Sequence, residues 1–281
     1  MKRVLSQVAA SAVLLLAVGF AAPANAQLVY TAPNSTGLFA GVNAGNTTLT
    51  NGENTGIGYY SLYGITSGFW NTGVGSYSLY SLTSGVSDIA LGSSAMYSMQ
   101  TGARNTALGG AAMYNAIDSS NCVAVGYHSL STLHTGGDAL DTTVGYYALH
   151  TLYEGAGNTA VGAFAGEPMN DGYNDTFLGY NTGPTTNGLT NATAIGYSSQ
   201  VGASNSLVLG GTGSYAVKVG IGTTTPTQAL DVNGNTIRVR QSRTPSSSSD
   251  SCAQGEIAWD GSYIYVCVAT NTWMRSTLSS F

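Results

Sequence analysis

The chain has 281 residues, of which 38 are glycine and 18 tyrosine, while only 7% carry a charged side chain. That composition lies far from an average globular enzyme. Between positions 27 and 217 a single basic residue, Arg104, stands against nine acidic ones, whereas 218–281 holds five basic and four acidic residues. Nucleic acid, which requires clustered Lys and Arg, is excluded as a partner on this basis. Anionic membrane surfaces are disfavoured for the same reason.

The N-terminus reads as an export signal over residues 1–26. Lys2 and Arg3 precede an apolar run from Val8 to Ala22, and Ala24-Asn25-Ala26 supplies a small-x-small cleavage pattern. The mature product is expected to start near Gln27 and to be secreted. No later segment approaches the roughly 20 uninterrupted apolar residues of a membrane-spanning helix, so no span is expected in the mature chain.

From there to Gly213 the chain repeats itself. Gly41, Gly58, Gly75, Gly92, Gly109, Gly126, Gly145, Gly162, Gly179 and Gly196 follow at intervals of seventeen, with one of nineteen after Gly126 and a last step of fourteen to Gly210. A fixed period of this size marks a solenoid. From Gly58 on, a branched aliphatic stands one place before each glycine (Ile57, Val74, Leu91, Leu108, Val125), and two places before it mostly a small residue (Gly56, Gly73, Ala90, Ala107, Ala124). Three places before it Thr predominates, joined by Ile89 and Val123. Period two predicts a short β-strand with one face of aliphatic and Thr side chains and the other kept small. The Asn or Asp four places back (Asn54, Asn71, Asp88, Asn105, Asp141, Asn158, Asp175) suits a turn entry. The glycine itself suits a positive φ or a close backbone contact.

After the glycine, Leu62, Leu79, Met96, Met113 and Leu130 stand four places on, and Ile65, Leu82, Met99 and Leu133 seven places on. Spacing by three is not one face of a strand, so this half is either a helical turn or two short strands meeting at a corner. Tyr63, Tyr80, Tyr97 and Tyr114, five places on, would stack between successive coils. The expected fold is therefore all-β, a parallel β-roll of about eleven coils advancing about 4.8 Å each. So narrow a roll leaves apolar surface near water, and association into a closed symmetric homo-oligomer covers it.

Beyond the repeat, 214–237 reads as a β connector and 238–281 as a Ser/Pro-rich linker with a small β module. The stretch 242-SRTPSSSSD-250 has the composition of a flexible tether and is equally compatible with a structured crossover. Asp260-Gly261 marks a hairpin within 256-EIAWDGSYIYVC-267. In an exported protein, Cys252 and Cys267 are expected to form a disulfide.

The segment 191-NATAIGYSSQVGASNSLVLGG-211 resembles the head repeats of trimeric autotransporter adhesins, and 158-NTAVGAFAG-166 and 105-NTALGGAAM-113 resemble a longer variant of that repeat. Further on, 219-VGIGTTTPTQALDVNGN-235 resembles a phage tail-fibre motif, and 255-GEIAWDGSYIYVCVATNTWMRSTL-278 is similar to a small C-terminal module of fibre-like proteins. The resemblance implies left-handed β-rolls associating as a homotrimer. A heptad stalk, a membrane-anchor segment and a self-cleaving chaperone domain are all missing from the pattern, so neither outer-membrane insertion nor self-cleavage carries over.

The residue types that carry chemistry are scattered. His128, His134 and His150 fall in different registers, which argues against zinc. Asp171, Asn174 and Asp175 lack calcium-loop spacing, no nucleophile elbow accompanies any serine, and Asp138 with Asp141 has no facing carboxylate. Cys122, in the Asn/Asp register, reads as a partly buried free thiol. Regular Thr columns occur on ice-binding solenoids, but sharing a register with Ile89, Val123 and Leu207 assigns this column to the interior or to a subunit contact. No cofactor is expected. The resulting expectation is a secreted, non-enzymatic trimeric fibre that adheres to cell-surface carbohydrate or protein, with Tyr63, Tyr80, Tyr97 and Tyr114 as a surface ladder. The alternatives are a purely structural fibre or a polysaccharide-active solenoid enzyme.

Overall fold

The computed structural model describes residues 29–30, 37–46, 52–134 and 136–280, and the expected export signal, 1–26, lies outside them. The chain divides into two compact units between Val217 and Lys218.

The first unit is a parallel β-solenoid. Eleven three-residue strands, from Leu38–Ala40 and Thr55–Ile57 to Leu207–Leu209, share one sheet and bound about ten turns, and Val29–Tyr30 pairs antiparallel at its start. Equivalent residues stand opposite each other, Thr55 to Thr72 and Thr72 to Ile89. The shorter last coil keeps the register, pairing Thr193 with Leu207.

Within each strand the small residue points inward. Ala90 is fully buried while Ile89 and Leu91 on either side are each 40% exposed. The interior assignment of the Thr column is thus corrected: that column, with Ile89 and Leu207, faces outward. The cause is volume. Leu62, Ile65, Leu79, Leu82, Met96, Met99 and Met113 fill the lumen from the other half of the coil, leaving the strand room for a methyl group or less. Where the filler is missing the strand compensates. Gly45 and Gly166 stand in the Leu/Met column, and the buried rings of Phe39 and Phe177 lie against them.

The filler half is neither a helix nor a pair of strands. Two β-turns follow each other, closed by Ser61 N–H to the Gly58 carbonyl and Ile65 N–H to the Leu62 carbonyl, both at 3.3 Å. Tyr60 and Leu62 adopt φ of 56° and 54°, and Tyr77 and Leu79 repeat this at 59° and 51°. Left-handed backbone costs a non-glycine residue about 1 kcal/mol or more. Hydrogen bonds between coils offset it, as from Leu62 N–H to Ser78 O (3.0 Å) and Tyr77 N–H to Tyr59 O (2.7 Å).

In the second unit Val219–Ile221 pairs in parallel with Leu230–Val232, and Ile257–Trp259, Tyr263–Ala269 and Thr272–Thr277 form an antiparallel sheet. The Asp260 carboxylate organises the first hairpin. It accepts hydrogen bonds from the Tyr265 hydroxyl (2.6 Å), the amides of Ser262 and Tyr263 (2.8 Å each) and Thr244 (2.9 Å). These donors, Tyr265 foremost, hold its pKa well below the carboxylate range. Residues 242–250 are a crossover that lies on the surface but is tied to the sheet. Arg243 N–H donates to Trp259 O, Trp273 N–H donates to Ser248 O, and the Arg243 guanidinium lies 5.2 Å from the Trp273 ring centre. Cys252 and Cys267 are joined by a disulfide. Among the described residues no helix is long and apolar enough to cross a membrane.

Candidate functional surfaces

The outward face of the long sheet carries two parallel columns of side chains. One holds Thr55, Thr72, Thr106, Thr142, Thr159, Thr176 and Thr193 together with Leu38, Ile89, Val123 and Leu207. In the other stand Ile57, Val74, Leu91, Leu108, Val125, Val144, Val161, Leu178, Ile195 and Leu209. Ile57, Leu91, Val144, Leu178 and Leu209 are each 39–45% exposed. Pairing in register makes this a continuous apolar stripe of the kind that marks an interaction surface.

At the corner after the glycine, Tyr63, Tyr80, Tyr97 and Tyr114 stack face to face. Their ring centres lie 5.4, 5.0 and 5.1 Å apart with planes within 9° of parallel. Beside them runs an aromatic cluster that the sequence reading missed. Tyr59, Tyr60 and Tyr77 form its first part, and Tyr127, Tyr146, Tyr147, Phe164, Tyr180 and Tyr197 its second. Its signal was available in the doublets Tyr59-Tyr60 and Tyr146-Tyr147, one and two places after the glycine. Because each ladder ring faces another ring, edges and hydroxyls rather than faces are turned to solvent.

The other candidates do not converge. His128 stacks on Tyr147 and His134 on Tyr153, while His150 bonds Glu167. Among the described residues no group of three or more His, Cys, Asp or Glu is placed to hold a metal ion. Asp141 is buried, whereas Asp138 is exposed near Arg104. Asp175 is likewise buried and Asn174 exposed, so in each pair the two polar side chains face opposite sides of the wall.

The Asn/Asp column is not a turn entry. It is a buried ladder between coils: Asn54 Oδ1 accepts the Asn71 amide (2.9 Å), Asn71 Oδ1 accepts the Asp88 amide (2.9 Å), and Asp88 Oδ1 accepts the Asn105 amide (2.9 Å). Each asparagine also donates Nδ2–H to a carbonyl fourteen residues on, as from Asn71 to Gly85 (2.8 Å) and Asn158 to Gly172 (2.9 Å). Cys122 continues the column as a buried free thiol, and burial pushes its pKa up to about 12. In the second unit, an open polar cleft of about 280 Å³ is lined by Ser246, Ser248, Tyr265, Trp273 and Arg275. Comparison with protein-family models, curated proteins and solved structures returned no match to the chain.

Proposed function

We propose that the chain is a secreted, non-enzymatic fibre that assembles with copies of itself as a homotrimer and acts at cell surfaces by adhesion. The outward stripe carries this reading. A monomer would expose an apolar column, Ile57 to Leu209, beside a mixed column of Thr and aliphatic side chains, and closed symmetric pairing of the stripe with its own copies covers it without leaving a propagating edge. The resemblance of the repeats to trimeric adhesin heads supports the same stoichiometry. Adhesion then works by multivalency: a trimer presents each weak contact to carbohydrate or protein three times, and effective concentration turns modest affinities into retention.

A purely structural fibre is the second reading, and the ring stacking favours it, because ladder tyrosines that cover one another's faces offer few of them to a sugar ring. Replacing Tyr63, Tyr80, Tyr97 and Tyr114 by Ser separates the two in a cell- or glycan-binding assay. The adhesin reading expects binding to fall at least tenfold in a folded variant, whereas unchanged retention leaves the structural fibre.

A further inference from the structure

The buried column contains Asp88, Asp141 and Asp175 in register with asparagines, and in each the second carboxylate oxygen, Oδ2, is buried without a hydrogen-bond partner. The local geometry identifies what that oxygen replaces. The point where a Cβ on Gly68 would stand lies 2.5 Å from the Gly85 carbonyl oxygen and 3.0 Å from Asn71 Nδ2, which donates to that carbonyl. One coil on, the equivalent point on Gly85 lies 2.8 Å from the Gly102 carbonyl oxygen and 2.7 Å from Asp88 Oδ2. Asp88 Oδ2 therefore occupies the place of an amide N–H donor, opposite a carbonyl acceptor. Around Gly172 the same point lies 2.6 Å from Asp175 Oδ2. Two acceptors facing each other in a dry interior repel; a proton between them makes a hydrogen bond.

We propose that Asp88, Asp141 and Asp175 are neutral carboxylic acids in the folded solenoid, each donating its Oδ2 proton where asparagine donates Nδ2–H, so that the roll takes up protons on folding and loosens as they are removed. The surroundings offer little charge to oppose this. Asp88 touches the uncharged Asn71 and Asn105, and Arg104 is the charged group acting on it. Beside Asp141 stand Asn158 and the neutral Cys122 thiol, and beside Asp175 the Asn158 side chain and the Ala192 amide. Burial raises all three acids, Asp88 and Asp141 from 3.8 to about 7, against the lowering effect of the amides donating to Oδ1.

Because the folded-state values lie above the unfolded value of 3.8, the stabilisation is complete below pH 3.8 and is lost as pH rises toward 7. The span from 3.8 to about 7 corresponds to up to about a thousandfold in the folding equilibrium for each of Asp88 and Asp141.

The test is unfolding of the full chain at several pH values from 4 to 8, comparing the wild type with D88N, D141N and the D88N/D141N/D175N combination. The wild-type midpoint is expected to fall with rising pH, and the triple variant to be flat and more stable at pH 8. A flat wild-type profile, or Asn variants no more stable at pH 8, overturns the proposal. Infrared spectra of the folded wild type at pH 6 supply a readout that needs no variant. A buried carboxylic-acid C=O band is expected, and its absence overturns the proposal, as does rescue of the pH 8 midpoint by added calcium or sodium without that band.

Discussion

A methyl group on Gly92 has no room. Its φ is 143°, and a Cβ there would stand 2.4 Å from the carbonyl oxygen of Gly109, one coil on. The same contact recurs down the column, so each glycine lets the next strand approach to pairing distance. Gly92→Ala is expected to lower stability by about 3 kcal/mol or more, read from denaturant unfolding. A loss under about 1 kcal/mol would mean that the coils are not packed at this spacing. The period itself announced this column. The buried Asn/Asp column is equally visible, but its residue types suggest local turn chemistry, because side chain to backbone bonds across seventeen residues leave no local trace.

At the scale of the element, three residues decide which way a coil faces. Ala124 is fully buried while Val123 and Val125 face outward, so Ala124→Leu overfills the lumen and is expected to prevent folding or cost about 3 kcal/mol. Leu91→Lys, on the outer column, is expected to leave the fold intact in circular dichroism while abolishing self-association. If both variants behaved alike, the inside-outside assignment would be wrong. The alternation was legible, but not its polarity, since the usual rule places the larger apolar side chain inside. Here Leu and Met from the turns already occupy that space. The turns were hidden for a related reason. Left-handed backbone is signalled by Gly or Asn, and Leu62, Leu79 and Met96, with φ of 54°, 51° and 52°, carry no such mark. Stacking between coils imposes it. The Asp260-Gly261 hairpin, by contrast, was readable because its signal is local. The bridge closing that module holds residues fifteen apart, so Cys252→Ser is expected to cost the second unit about 3 kcal/mol. The solenoid's own unfolding transition should stay where it is, and a shift in it would show that the two units unfold together.

For the molecule as a whole, the outward stripe is the feature that a single copy leaves unsatisfied. Covering a side chain that is about 40% exposed contributes roughly 1 kcal/mol. The fourteen large aliphatic side chains of the two columns bring the sum to the order of 10 kcal/mol, comparable with the cost of association. The pH dependence belongs to the interior of each roll and is independent of this surface. Light scattering coupled to size-exclusion chromatography, on the chain lacking residues 1–26, tests self-association most directly. A single species of three times the chain mass is expected, reverting to one chain mass in the Leu91→Lys variant. A soluble, folded monomer of the wild-type sequence at micromolar concentration would contradict it.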